Sequence, residues 1–274
     1  MSNLLKEYIE LLVNESKTSD AFEHSVASAI NKFASSGITA VRPAADTSLP
    51  DVEVTVEGIG TSFVEVKMNH TDNLANPRVF FDGSQWATTY KTPVAIYAVD
   101  LLNSSDQAKK WVSQLGRFSK IRNPKIPTTL GGLKDPKAVP LEVMIEFVEQ
   151  MGNRYIAIEN SVDIGSLVTE HYTMGKSSPA HYMQAADDFY LIGTSDPLGL
   201  RSVAKNIPVL AGTGDFKVRV ATRSSFYEVQ AEVKIKNLSP SNSRYSVLGG
   251  TKKINPFELL ANKMGVATKR KSRR

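Results

Sequence analysis

Cysteine is missing from all 274 residues. Its absence excludes disulfides, thiolate nucleophiles and cysteine-ligated zinc or iron–sulfur centres. Histidine occurs only four times, with no spacing that matches a zinc site. No run approaches the roughly 20 apolar residues that a membrane helix needs, so no membrane partner is expected. The opening MSNLLKEYIELLVNE is charged throughout and lacks the apolar stretch of a secretory signal. A cytoplasmic, intracellular location is the resulting expectation. A phosphate loop is missing as well: Gly175-Lys176-Ser177 has Glu170 where the motif needs glycine. Gly212-Thr213-Gly214 is an isolated fragment and reads as a turn. There is no internal repeat.

What is present is an ordinary globular composition, with 41% hydrophobic and 22% charged residues. The net charge of +5 is unevenly placed. Residues 262–274 hold Lys263, Lys269, Arg270, Lys271, Arg273 and Arg274 and no acid, so the body of the chain is nearly neutral. Such a basic end is either a solvated tail or an arm for nucleic-acid phosphates.

Helical spacing of Phe22, Val26, Ala29, Ile30 and Phe33 predicts a helix over 20–36, stopped by Gly37. A short β run follows at 38–41. DVEVTVE (51–57) alternates strictly, and SFVEVK (62–67) follows a glycine turn, so the two predict a hairpin. A short helix is expected over 83–90, a buried strand over 93–99, and a helix over 105–118. The Pro-, Gly- and Lys-rich stretch 124–140 reads as a linker. Beyond it a helix at 141–151, a strand at 154–159 and antiparallel strands at 216–221 and 226–236 give an α+β pattern. The expected division is therefore a core over 1–123, the linker, a recognition region over 141–261 and the basic tail over 262–274.

The hairpin carries the chemistry. Strand side chains repeat every two residues, so Glu65 and Lys67 share a face, and pairing brings Asp51 to the same face. The valines 52, 54, 64 and 66 then face the core. Two adjacent carboxylates raise each other's proton affinity. A hard divalent cation relieves that repulsion and suits oxygen ligands. Phosphodiester hydrolysis uses such an ion to offset charge and acidify water, and a nearby ammonium stabilises the transition state.

Pro50-Asp51, thirteen intervening residues, then Glu65-Val66-Lys67 resembles the PD-(D/E)XK nuclease signature, as in restriction endonucleases and Holliday-junction resolvases. The likeness spans about residues 18–120. It implies a restriction-endonuclease-like α/β core, a mixed central sheet flanked by helices, followed here by an α+β elaboration. It implies that Asp51, Glu65 and the Val66 carbonyl bind Mg²⁺, with Mn²⁺ able to substitute, and that Lys67 is the catalytic lysine. By the same resemblance Glu23 is an accessory acid acting through water, and Gln85 is a polar residue near the metal. DNA is the implied substrate and a homodimer the implied assembly. The competing expectations are a junction resolvase, a nuclease fold that binds DNA without cutting it, and an assembly protein that packs nucleic acid.

Lys109, Lys110, Arg117, Lys120, Arg122 and Lys125 lie in an acid-free stretch with Trp111 and Phe118. They are candidates for backbone contacts, as are Lys269, Arg270 and Lys271. Lys217, Arg219 and Arg223 could line the same groove or simply be the wet side of a strand. Glu23 could instead belong to a capping box with Asp20 as N-cap, and Glu53 reads as an exposed strand residue. His24 is expected to point away from Glu23. His70, just after the lysine strand, could touch substrate.

Overall fold

The computed structural model describes residues 18–43, 50–75, 77, 79–81, 85–108, 155–174, 178–223, 226–236, 243–250 and 252–271. These form a mixed α/β protein with two compact units, each assembled from separated stretches of chain. The first unit comprises Met1–Asp72, Tyr172–Ala211 and Leu238–Arg274; the second comprises Asn73–His171 and Gly212–Asn237. The linker expected at 124–140 and the helix expected at 141–151 lie outside the described residues.

In the first unit, helix α1 (18–31) is already formed at residue 18, so Asp20 is inside it and not its N-cap. A 3-10 turn, Ala34–Ser36, leads to Gly37 at φ 79. A Cβ there would meet the Glu57 Cβ at 2.9 Å, so only glycine fits this stop. Strand β1 (Ile38–Val41) pairs antiparallel with β2 (Val52–Val56), which pairs antiparallel with β3 (Gly60–Lys67). Asn31 ties the helix to the β1 edge, donating to the Ala40 carbonyl at 2.7 Å and accepting from the Ala40 amide at 2.8 Å.

Two strands from much later in the chain complete this sheet. β8 (Ala180–Ala185) runs parallel to β3, and β9 (Asp188–Leu191) runs antiparallel to β8, giving the order β1-β2-β3-β8-β9. Helix α1 and the C-terminal helix α4 (Pro256–Lys271) cover one face. Val26 and Ile30 from α1, Val52, Val54, Val64 and Val66 from the hairpin, and Phe257 and Leu260 from α4 share one core. Within it the Tyr182 and Phe189 rings stack at 5.8 Å, and Phe257 meets Phe189 edge-on at 6.0 Å. Each buried aromatic removes about 150–250 Å² from water, enough to anchor the layer. The Asn255 Oδ1 accepts the Phe257 amide at 2.9 Å and Pro256 opens α4, a well-capped start. α4 continues to Lys271, so residues 262–271 of the basic end are helical.

The second unit holds an antiparallel sheet in the order β4-β11-β10-β7, from β4 (Asn73–Ala75), β7 (Tyr155–Asp163), β10 (Thr213–Arg223) and β11 (Phe226–Lys236). β7, β10 and β11 match the strands expected at 154–159, 216–221 and 226–236. Two expectations fail here. The helix expected over 83–90 is strand β6 (Trp86–Ala87), paired with β5 (Phe80–Phe81). The strand expected over 93–99 is helix α2 (Pro93–Ser104). A short apolar run fits either a buried strand or a helix. Pro93 at the first turn favours the helix, which buries Val94, Ala95, Ala98 and Leu102 and leaves Ile96 half exposed. Of the helix expected over 105–118, residues 106–108 are helical and the rest lies outside the described residues. Helix α3 (Ile164–Met174) runs from the second unit into the first.

Candidate active site

The β2–β3 register fixes the candidate site. Val52 pairs with Val64, so the next position places Asp51 opposite Glu65. The valines of both strands enter the core, and Glu65 and Lys67 take the opposite face. Asp51 turns its Oδ2 back to accept the Val66 amide at 2.7 Å. A strand residue's N–H and C=O point to the same side, so the Val66 carbonyl lies on the Asp51 side of β3. The Lys67 carbonyl faces the other way and accepts the Ala186 amide at 2.8 Å.

The three side chains are partly withdrawn from water, Glu65 buried and Asp51 and Lys67 half-buried. Glu65 is 4% exposed, and Lys67 Nζ donates to its Oε1 at 2.7 Å. Burial and the Glu65 charge push the Asp51 carboxyl up from 3.8 to about 7, although Lys67 and the Val66 amide oppose the rise. Burial acts against the Lys67 ammonium, but Glu65, Tyr172 and Asp51 together outweigh it and hold its pKa well above the ordinary value. Lys67 is therefore held in its charged form at neutral pH. Tyr172, near the end of α3, is fully buried and hydrogen-bonds Glu65; burial and the Glu65 charge keep its phenol protonated.

This donor set fits a hard divalent cation. Two hard oxygen anions stand beside a backbone carbonyl, and Asp51 is pushed toward protonation by burial and by Glu65. A cation between them offsets both the burial of the charge and the repulsion from Glu65. Among the described residues no group of three or more His, Cys, Asp or Glu could hold a metal. Two carboxylates is the small protein share that suits Mg²⁺, which keeps several waters.

Glu23 is engaged elsewhere. Its Oε2 accepts Arg42 Nε at 2.5 Å and its Oε1 accepts Ser19 Oγ at 3.2 Å, while Arg42 also pairs with Asp20. It still adds a small repulsion at Asp51. Gln85 belongs to the second unit, in a bend before β6, and does not start a helix. His24 is exposed on α1, and Glu53 is partly buried. His70 is committed to a carboxylate, its Nε2 lying 2.8 Å from Asp188 Oδ2. Lys109, Lys110, Arg117, Lys120, Arg122 and Lys125 lie outside the described residues, whereas Lys269, Arg270 and Lys271 fall in the last turns of α4. In β10, Lys217 stands 3.7 Å from Asp215. Among the described residues no helix is long and apolar enough to cross a membrane.

Sequence reasoning misses Tyr172, which sits far along the chain in a helix with no motif around it. It also misses Asp188 and Lys253, an ion pair at 2.6 Å. Compared with known proteins, the chain matches no family model, no curated protein and no solved structure.

Proposed function

We propose that this chain is a Mg²⁺-dependent DNA endonuclease of the PD-(D/E)XK type, cutting phosphodiesters at Asp51, Glu65 and Lys67. The observation that carries this reading is the half-buried acid–acid–lysine group at one end of a β-hairpin, with Asp51 pushed to about 7 and Lys67 held charged. Groups shifted by burial together with a specific charged neighbour gather at functional sites. The fold reading goes with it. The reading of a restriction-endonuclease-like core is supported by α1, three antiparallel strands and a fourth strand, β8, parallel to the third.

In this reading Asp51, Glu65 and the Val66 carbonyl would hold the ion. When bound, the ion supplies a water of lowered pKa and offsets charge on the scissile phosphate. Lys67 places its permanent positive charge where negative charge develops on phosphorus. Its ion pair with Glu65 fixes the ammonium in advance, so little reorganisation is needed at the moment of attack. Tyr172 holds Glu65 in place from the helix side. Cutting both strands calls for two such sites, which a two-fold homodimer provides.

Supercoiled plasmid incubated with the chain and Mg²⁺ tests the reading. Nicked and linear products are expected, with none in EDTA and none from Lys67→Met. Plasmid that shifts but stays uncut would replace the nuclease reading with DNA binding alone.

A further inference from the structure

The registers Lys67↔Ala185 and Ala185↔Asp188 put Lys67 and Asp188 on one row of the sheet, two strands apart. Paired residues of neighbouring strands share a face, so both side chains leave the same face. At about 4.8 Å per strand, the two backbones are about 10 Å apart.

Asp188 is 2% exposed and consumed by its neighbours. It accepts the Ser243 amide at 2.8 Å and Lys253 Nζ at 2.6 Å, and His70 stands at 2.8 Å. This buried knot supports the wall of an open cleft of about 610 Å³, lined by Asp187, Ser243, Arg244, Lys252, Lys253 and the Gly249-Gly250 turn. The lining holds three cations against one carboxylate, and that carboxylate stands 3.7 Å from Lys253. Arg244 and Lys252 are exposed, and no carboxylate among the described residues forms an ion pair with either. Gly249 and Gly250 have φ 72 and 144, so the rim there is bare backbone that leaves room for a bulky anion.

We propose that this cleft grips a backbone phosphate of the DNA strand whose phosphodiester is cut beside Lys67. The inference rests on the nuclease reading and adds a second contact to it. Asp188, which holds the lining residues Ser243 and Lys253, is about ten ångströms across the sheet from Lys67, about three nucleotides of rise along one strand. Arg244 supplies a planar fork suited to two phosphate oxygens, and Lys252 supplies a point charge. The cleft is far larger than a lone inorganic anion requires, and its volume suits a sugar-phosphate segment.

The test is binding of a short labelled DNA duplex to the full chain in EDTA, followed by anisotropy over a range of salt, for the wild type and for Arg244→Gln/Lys252→Gln. Losing the one phosphate contact lowers the slope of log affinity against log salt by about 0.9, with weaker binding at every salt concentration. Both side chains are exposed, so the unfolding midpoint should not move. An unchanged slope, or no binding by the wild type, overturns the inference. Loss of polyglutamate binding with DNA binding intact assigns the cleft to an acidic protein and also overturns it. The plasmid assay separates the two claims. A chain that never cuts but loses slope in the double variant keeps the cleft and loses the nuclease. A chain that cuts while the slope is unchanged keeps the nuclease and loses the cleft.

Discussion

The Val66 amide donates to the Asp51 carboxylate at 2.7 Å, and this one bond holds an acid beside Glu65 that would otherwise swing away from it. A backbone amide favours the ionised carboxylate, yet burial and Glu65 win and leave Asp51 at about 7. The site thus keeps two carboxylates close at an electrostatic cost.

That cost has a pH signature. The folded-state pKa of Asp51 lies above its ordinary 3.8, so the folded chain binds the extra proton more tightly than the unfolded chain. Metal-free stability is therefore greatest at acid pH on this account and falls as pH rises from about 4 through about 7. The loss is at most about 4 kcal/mol. Asp51→Asn keeps an acceptor for Val66 and removes the charge, so its urea midpoint in EDTA should fall less between pH 5 and pH 8. Identical pH profiles for the two proteins would show that Asp51 is not strained.

Tyr172→Phe deletes the hydroxyl that holds Glu65. A hydrogen bond to a charged group is worth about 1.5–3 kcal/mol, so plasmid cleavage should slow by at least about tenfold, with the far-UV spectrum retained. Cleavage at the wild-type rate would remove Tyr172 from the site.

The hairpin was legible in the sequence because strict alternation fixes which face each residue takes. Asp51, Glu65 and Lys67 could be assigned to one side from spacing alone. β8 and β9 were not legible. AHYMQA is buried at all but one position and DFYL at all four, so neither shows the alternation that marks a half-wet strand. Their pairing with β3 also depends on a parallel contact across more than a hundred residues, which leaves no local trace. Tyr172 was invisible for the same reason. The 93–99 run misled because an apolar stretch that short suits either element, and Pro93 carried the deciding information. Glu23 lies on the side of α1 that spacing indicates, but Arg42, outside any motif, has claimed it.

Asp188→Ala should destabilise the chain strongly. It leaves the Lys253 ammonium and the Ser243 amide without their buried acceptor, and breaking a buried pair from one side costs about 3–5 kcal/mol. Urea unfolding measures this directly. A loss below about 1 kcal/mol would mean that water or Asp187 replaces the carboxylate easily.

The central claim is that Asp51 and Glu65 are gathered to share a divalent cation. Mn²⁺ binding to the metal-depleted chain at pH 8, followed by electron paramagnetic resonance, tests it most directly. Saturable binding is predicted for the wild type, weakened by at least about tenfold in Asp51→Asn and in Glu65→Gln, the loss expected when one of two carboxylate ligands is removed. No saturable binding, or equal binding in all three proteins, would contradict the account.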